Sequence, residues 1–229
     1  MIIKLIRHGE SEANTGNMDP NKVKDAAIPL SDLGRKQAID SGSIIEKDFL
    51  NNALIYCSPY QRTRETLQCL LEGTDIDTSN IKIYEDPRLR EIDVGYGNST
   101  EQMPLRKIHG WFYYRFEGGE SPADCYDRTS AFLESLMRQV ERSDKRNVLI
   151  VCHGMTLRCF VARFLHLTVE QFEDMHNPDN CEIVTIGFKE NIKQPVFTNG
   201  RWAVEGIRLR DQSQVSDSML KDMIENGRD

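Results

Sequence analysis

No glycine-rich run, no tandem repeat and no apolar stretch long enough for a membrane span occurs in these 229 residues. The absence of low-complexity tracts, with only eight prolines, excludes a fibrous or disordered chain, and 39% hydrophobic residues can build a sizeable core. Basic residues are in deficit: 29 Lys and Arg stand against 36 Asp and Glu, for a net charge of -7. This argues against nucleic-acid or other general polyanion binding. It leaves room for one anion site, because a few convergent cations dominate a pocket locally. The six cysteines form no C-x-x-C pair, and Cys152 ends the apolar run from Val148, where a reduced thiol serves as a small hydrophobe. There is no H-E-x-x-H, and the carboxylates do not collect near His8 and His153 in sequence, so neither a metal nor another cofactor is expected. The start, Met1 to Arg7, breaks into charge too soon for a signal peptide or membrane anchor. A cytoplasmic protein is expected, with the nucleus left open.

What is present is an alternation of strand and helix signals. Ile2 to Ile6, Ala53 to Cys57, Ile81 to Tyr84 and Asn147 to Cys152 predict strands, and Glu182 to Phe188 and Trp202 to Ile207 predict a late hairpin. Ser31 is a helix N-cap with Leu33, Ala38, Ile39, Ile44 and Ile45 on the apolar face. Ser58-Pro59 reads as cap and first residue of a helix to about Leu71. Further helices are predicted from Pro122 to about Val140, from Gly154 to about Phe164 as an amphipathic helix, and after the capping box of Thr168 and Gln171. Residues 86 to 119 show no sustained period and predict loops with one or two short helices. The order predicts a three-layer α/β/α sandwich with a mixed, mostly parallel sheet, one antiparallel member and an inserted lid-like segment.

One local echo stands out. Leu5-Ile6-Arg7-His8-Gly9 and Ile150-Val151-Cys152-His153-Gly154 share a plan of buried strand, histidine and glycine. Ligands of parallel α/β sheets gather outside the carboxyl ends of the strands, so two such histidines can face each other across the fold. Arg7 and Arg62 add guanidinium forks that suit the oxygens of a phosphoryl group. A neutral imidazole keeps a lone pair for phosphorus, and Glu91 adds an acid-base group. Each residue alone has an ordinary reading: a structural histidine at a strand end, a solvated arginine face, a surface glutamate in the charged run Arg88 to Glu91.

Together, Leu5 to Ser11 with Asn14, Pro29 to Gly34, Ser58 to Thr63 with Thr66, Leu89 to Gly95, Gly118 to Ser121 and Val151 to Gly154 resemble, in order, the motifs of the histidine phosphatase superfamily. This group includes phosphoglycerate mutases and broad-specificity phosphatases. The resemblance covers most of the chain, to about residue 188, and implies a phosphoglycerate mutase-like domain over 1–208 with 92–145 as insertion and long helix. It implies that His8 is the phosphorylated nucleophile, that Glu91 is the proton donor, and that Arg7, Arg62 and His153 grip the phosphoryl oxygens. Asn14 and Met155 would complete the pocket, and no metal would be needed. Glu182 stands where relatives carry a small residue and could bring a carboxylate to the pocket rim, although strand alternation could equally turn it to solvent.

The mutase branch carries paired arginines after the catalytic glutamate. Here the stretch is Gly95 to Glu101, and the nearest basic pair, Arg106-Lys107, has different surroundings. The reading is a phosphatase of small phosphorylated metabolites, sugar phosphates among them. Mutase-type transfer and a protein-phosphatase or phosphoprotein-binding role are the alternatives. Tyr96 to Gly119, with the aromatic cluster Trp111 to Phe116, is expected to form a partial lid. Trp111 and Tyr114 would set specificity there, and Arg106, Lys107 and Arg115 would meet a distal anion or simply face solvent. The polar tail, 209–229, contains a helix signal at Ser218 to Glu225; packing on the domain, homo-oligomer formation and mobility all stay open for it.

Overall fold

Short aliphatic and β-branched runs bounded by turn residues form strands β1 (Ile2–Arg7), β2 (Ala53–Cys57), β3 (Ile83–Glu85), β4 (Asn147–Cys152), β5 (Ile183–Phe188), β6 (Phe197–Asn199) and β7 (Trp202–Glu205). The computed structural model describes residues 1–19, 22–74, 76–79, 81–97 and 99–210. The helix signal at Ser218 to Glu225 lies outside them. Among the described residues the seven strands make one sheet in the order β3-β2-β4-β1-β5-β7-β6. Strands β1 to β4 pair in parallel, β5 runs antiparallel to β1, β7 antiparallel to β5, and β6 antiparallel to β7. The mixed, mostly parallel sheet is as expected, but two strands are reversed, not one. The additional one, β6, has three residues with only Phe197 partly buried, too few to show an alternation.

Helices α1 (Asp32–Ser43), α2 (Lys47–Asn51) and α3 (Gln61–Gly73) cover one face, and α5 (Pro122–Arg142) and α6 (Gly154–Leu165) cover the other. Strand alternation divides the core between them. Val148 and Ile150 join Phe132, Leu136 and Phe160 on one side, while Leu149 and Val151 join Phe49, Leu67 and Leu70 on the other. Burial of each such aliphatic side chain contributes about 1.5–3 kcal/mol. The remaining helices are α4 (Ser99–His109) and α7 (Val169–Asp174), the latter starting at the expected capping box of Thr168 and Gln171.

Three expectations are corrected. Helix α1 does start after the Ser31 cap, but its buried face is Gly34, Ala38 and Gly42, while Leu33, Ile39 and Ile44 are exposed. Small residues win because α1 lies almost against its neighbours: a Cβ on Gly42 would sit 2.1 Å from the Leu70 carbonyl oxygen. Helix α3 starts at Gln61, after Tyr60, not at Pro59; Ser58 instead turns its hydroxyl to His153. Helix α6 is buried nearly all round, because the sheet, α5 and α7 all pack on it, and is not amphipathic. The one or two short helices expected within residues 86 to 119 are the 3-10 turn Pro87–Leu89 and the eleven-residue helix α4, which carries Pro104 inside it. Its inward positions are Gln102, Met103 and Arg106, so the buried face is largely polar and leaves no hydrophobic period to read. Glu117 N–H and the Tyr114 hydroxyl donate to Gln102 Oε1, at 2.8 and 3.3 Å, which satisfies that buried amide oxygen.

Candidate active site

The histidine echo becomes geometry through strand register. Arg7 pairs with Cys152 in the parallel β1–β4 ladder, so His8 and His153 leave the sheet side by side, with ring centroids 5.2 Å apart and both side chains fully buried. The ladder extends one step further as His8 N–H donates to Cys152 O at 3.0 Å and Ser58 N–H to Val151 O at 3.0 Å. Cys181, in the left-handed region with φ of 59°, and the Asn180 side chain donate to the backbone of the same corner: Cys181 N–H to Arg7 O at 3.1 Å, Asn180 Nδ2 to His8 O at 3.0 Å. Gly9 then passes so close to α1 that a Cβ on Gly34 would lie 2.0 Å from Glu10 O. That approach explains glycine at position 34 of the motif.

His8 Nδ1 lies 2.7 Å from Gly9 O. A carbonyl can only accept, so Nδ1 carries the proton and Nε2 keeps its lone pair. Nε2 is buried and has no protein hydrogen-bond partner. Burial, then the charges of Arg62 and Arg7, hold the His8 imidazole well below its usual range, so the ring is neutral near pH 7. His153 is depressed likewise, by burial first and Arg62 next; its Nε2 lies 2.9 Å from Ser58 Oγ, and its buried Nδ1 has no partner.

The two arginines reach the pair from different elements. Arg7 ends β1, donates to Pro178 O at 2.8 Å, and is pushed by burial down to about 10, which leaves it cationic at neutral pH. Arg62, the second residue of α3, is 1% exposed; its Nη1 donates to the Asp25 carboxylate at 2.8 Å and to Asp25 O at 3.0 Å. Its Nε is buried without a partner. Glu91 follows a single 3-10 turn, Pro87–Leu89, anchored by the fully buried Leu89. The carboxylate is 4% exposed and accepts from Ile92 N–H at 2.9 Å and Met155 N–H at 3.3 Å. Burial outweighs these two bonds and the nearby Arg62 and Arg128, so the Glu91 carboxyl titrates above its ordinary value. It is a buried group, not the surface residue its charged run suggests.

Thus Arg7, His8, Arg62, Glu91 and His153 come together, with Met155 joined through its backbone. Asn14 is half-buried, and its Oδ1 is taken by Ser11 N–H and Ser11 Oγ at 2.8 and 2.9 Å. Glu182 is not a bare carboxylate at the rim: it accepts from Asp179 N–H at 2.6 Å and pairs with Arg208 at 3.2 Å. Arg106 is neither solvated nor aimed outward. Its guanidinium lies over the Trp111 ring at 3.2 Å and the Phe116 ring at 4.6 Å, and burial takes it down to about 9. Lys107 is exposed, and Arg115 pairs with Asp124. Tyr114 is held by Gln102, and Phe112 packs the aromatic segment onto Phe172 of α7 and Tyr126 of α5. Sequence reasoning missed Asp25 as the partner of Arg62. It also missed the network in which Glu120 binds Arg90 and Arg128 beside Glu91. Glu120 at least lay in a quoted motif; Asp25 gave no signal.

A buried neutral imidazole with a free lone pair, two guanidinium groups and a carboxyl of raised pKa can bind a tetrahedral oxyanion, attack it and supply a proton. Among the described residues no helix is long and apolar enough to cross a membrane. In sequence, the chain is 38% identical over 200 residues to the phosphoglycerate mutase-like protein AT74 of Arabidopsis thaliana, covering 79% of this chain and 63% of that protein's length. It is 26% identical to the broad-range acid phosphatase DET1 of Saccharomyces cerevisiae, over 86% of this chain and 88% of that one. In structure it is similar to a mycobacterial glucosyl-3-phosphoglycerate phosphatase complexed with VO3, with a TM-score of 0.66 at 22% identity, covering 90% and 97% of the two chains. The model of the histidine phosphatase superfamily, branch 1, matches residues 3–200, and the chain belongs to that family.

Proposed function

We propose that this protein is a metal-independent phosphatase that hydrolyses small phosphomonoesters through a phosphohistidine at His8. The observation that carries the reading is the His8 ring itself, with Nδ1 committed to Gly9 O and a buried, unpartnered Nε2. In the first step the Nε2–P bond forms as the bond from phosphorus to the ester oxygen breaks, and the Glu91 carboxyl gives its proton to the departing alkoxide. In the second, water attacks phosphorus, Glu91 takes the water's proton, and the P–N bond breaks to return neutral His8. Arg7, Arg62 and His153 hold the phosphoryl oxygens throughout. The raised Glu91 pKa keeps more of the acid form available for the first step. The similar proteins carry both phosphatase and phosphoglycerate mutase-like names; what favours hydrolysis over mutase transfer is the enclosure of Arg106 between aromatic rings, which removes it as a carboxylate clamp.

The test is rapid mixing with a labelled phosphomonoester and an alkaline quench, which preserves the N–P bond. His8 should carry the label, and His8→Ala should lose both label and turnover while keeping its circular dichroism. Turnover by the native protein without label on His8 would overturn the assignment. A parallel mutase assay with phosphoglycerates should show no net phosphoryl migration.

A further inference from the structure

Asp25 ion-pairs with Arg62, one of the two guanidinium groups of the site. It opens the 3-10 turn Asp25–Ala27, in the long loop between β1 and α1. It holds Arg62 through two acceptors, Oδ1 at 2.8 Å and its own carbonyl at 3.0 Å from Nη1, with Oδ2 at 3.4 Å from Nη2. Arg62 is 1% exposed and Asp25 40%, so the pair runs from the buried site toward solvent. Tyr60, half-buried, lies against the His153 ring at 5.1 Å and feels Asp25, Arg62, Arg90 and Asp93. Of these charges Arg90 is already bound to Glu120. Glu182 is bound by Arg208, Arg106 is enclosed by aromatic rings and Arg115 is paired with Asp124.

Resting on the phosphatase reading above, we propose that Asp25 determines specificity: it selects phosphomonoesters with an uncharged leaving group, such as a polyol, against those bearing a second phosphate or a carboxylate near the ester. Asp25 takes the Nη1 end of the Arg62 fork and leaves Nε, which is buried and unpartnered, for the transferred phosphoryl group. One phosphoryl group thus meets donors, while a second anion close to Arg62 also meets the negative charge of the Asp25 carboxylate. Across about 8 Å at an effective dielectric constant near ~40, that repulsion is worth roughly a fivefold penalty in kcat/KM. Because the carboxylate is partly exposed, the penalty falls as salt is raised.

The experiment compares glycerol phosphate with 3-phosphoglycerate and fructose 1,6-bisphosphate in the native protein and Asp25→Asn. Asn keeps the acceptor oxygen and the size but removes the charge. The native protein should prefer glycerol phosphate. In Asp25→Asn the ratio of kcat/KM between neutral and anionic leaving groups should shrink about fivefold, and high salt should shrink it in the native protein alone. A purely structural role for Asp25 would change all three substrates equally, and an unchanged ratio, or an unchanged salt response, overturns the proposal. Inorganic phosphate binding by calorimetry separates this from a failure of the phosphatase reading. If no substrate is turned over, Asp25→Asn should still bind phosphate several-fold more tightly than the native protein, and equal affinities would overturn the role of Asp25 on their own.

Discussion

Two imidazoles held neutral inside the fold should leave a signature in the pH dependence of stability. His8 and His153 are fully buried, and burial together with Arg62 holds both well below the ordinary 6.5. In the unfolded chain both bind protons near that ordinary value. Below about pH 6 the unfolded state therefore carries up to two more protons than the folded one, and stability falls as pH falls. Each such proton contributes a slope of about 1.4 kcal/mol per pH unit, so the pair contributes about 2.7. Glu91 works in the opposite sense: its carboxyl is raised above the ordinary 4.5, so the folded state holds that proton longer and gains as pH falls through the raised value. Glu173, raised mainly by burial, opposes the histidines in the same way. The paired Asp86 and Asp124 are depressed below 3.8, and their contribution is lost only in more acidic solution. The decisive quantity is the difference between variants. Urea unfolding between pH 6 and 5, in phosphate-free buffer so that no bound anion stabilises the site, should give a shallower slope by about 1.4 kcal/mol per pH unit for His8→Gln and again for His153→Gln. A His8→Gln curve parallel to that of the native protein would mean that His8 titrates normally in the folded state. The assignment of a permanently neutral nucleophile would then fail.

Other consequences concern catalysis, packing and the aromatic segment Trp111 to Phe116. Glu91→Gln keeps the hydrogen-bonding shape but not the proton, and should lower kcat by ~10²–10⁴-fold for alkyl phosphates. It should do so much less for nitrophenyl phosphate, whose leaving group needs no acid, whereas equal losses across a leaving-group series would make Glu91 structural. Gly42→Ala puts a Cβ 2.1 Å from Leu70 O, a backbone atom, and should cost about 1–3 kcal/mol or more in chemical denaturation; an unshifted midpoint would contradict the close α1–α3 approach. Trp111→Ala with Tyr114→Ala should change the ranking of kcat/KM across phosphorylated sugars, nucleotides and peptides more than it changes phosphate affinity. An unchanged ranking in a folded double variant would leave the aromatic cluster as packing for α5 and α7.

Which parts of this site could be read from the sequence follows from how each is built. His8 and His153 were legible because a buried strand announces itself by an unbroken apolar run, and its end by the first charged or glycine residue. Parallel register, Arg7 to Cys152, then brings the two ends together without further information. Glu91 was legible as a motif member only, since its burial depends on Leu89 anchoring a short turn and on the docking of Met155 N–H, contacts between residues far apart in the chain. Helix α4 escaped hydrophobic periodicity because Gln102 and Arg106 fill inward positions, one satisfied by hydrogen bonds and the other enclosed by Trp111 and Phe116. The same rule hid Asp25, whose partner Arg62 lies 37 positions away and whose surrounding loop has no period at all. Apolar patterning reports where water is excluded by hydrocarbon; it is silent where a buried charge or amide finds its partner across the fold. In this protein the scaffold under the candidate site is of the first kind, and the charged pairs around it are of the second. The proposed selectivity among phosphate esters rests on the Asp25–Arg62 pairing, which local sequence patterns do not encode.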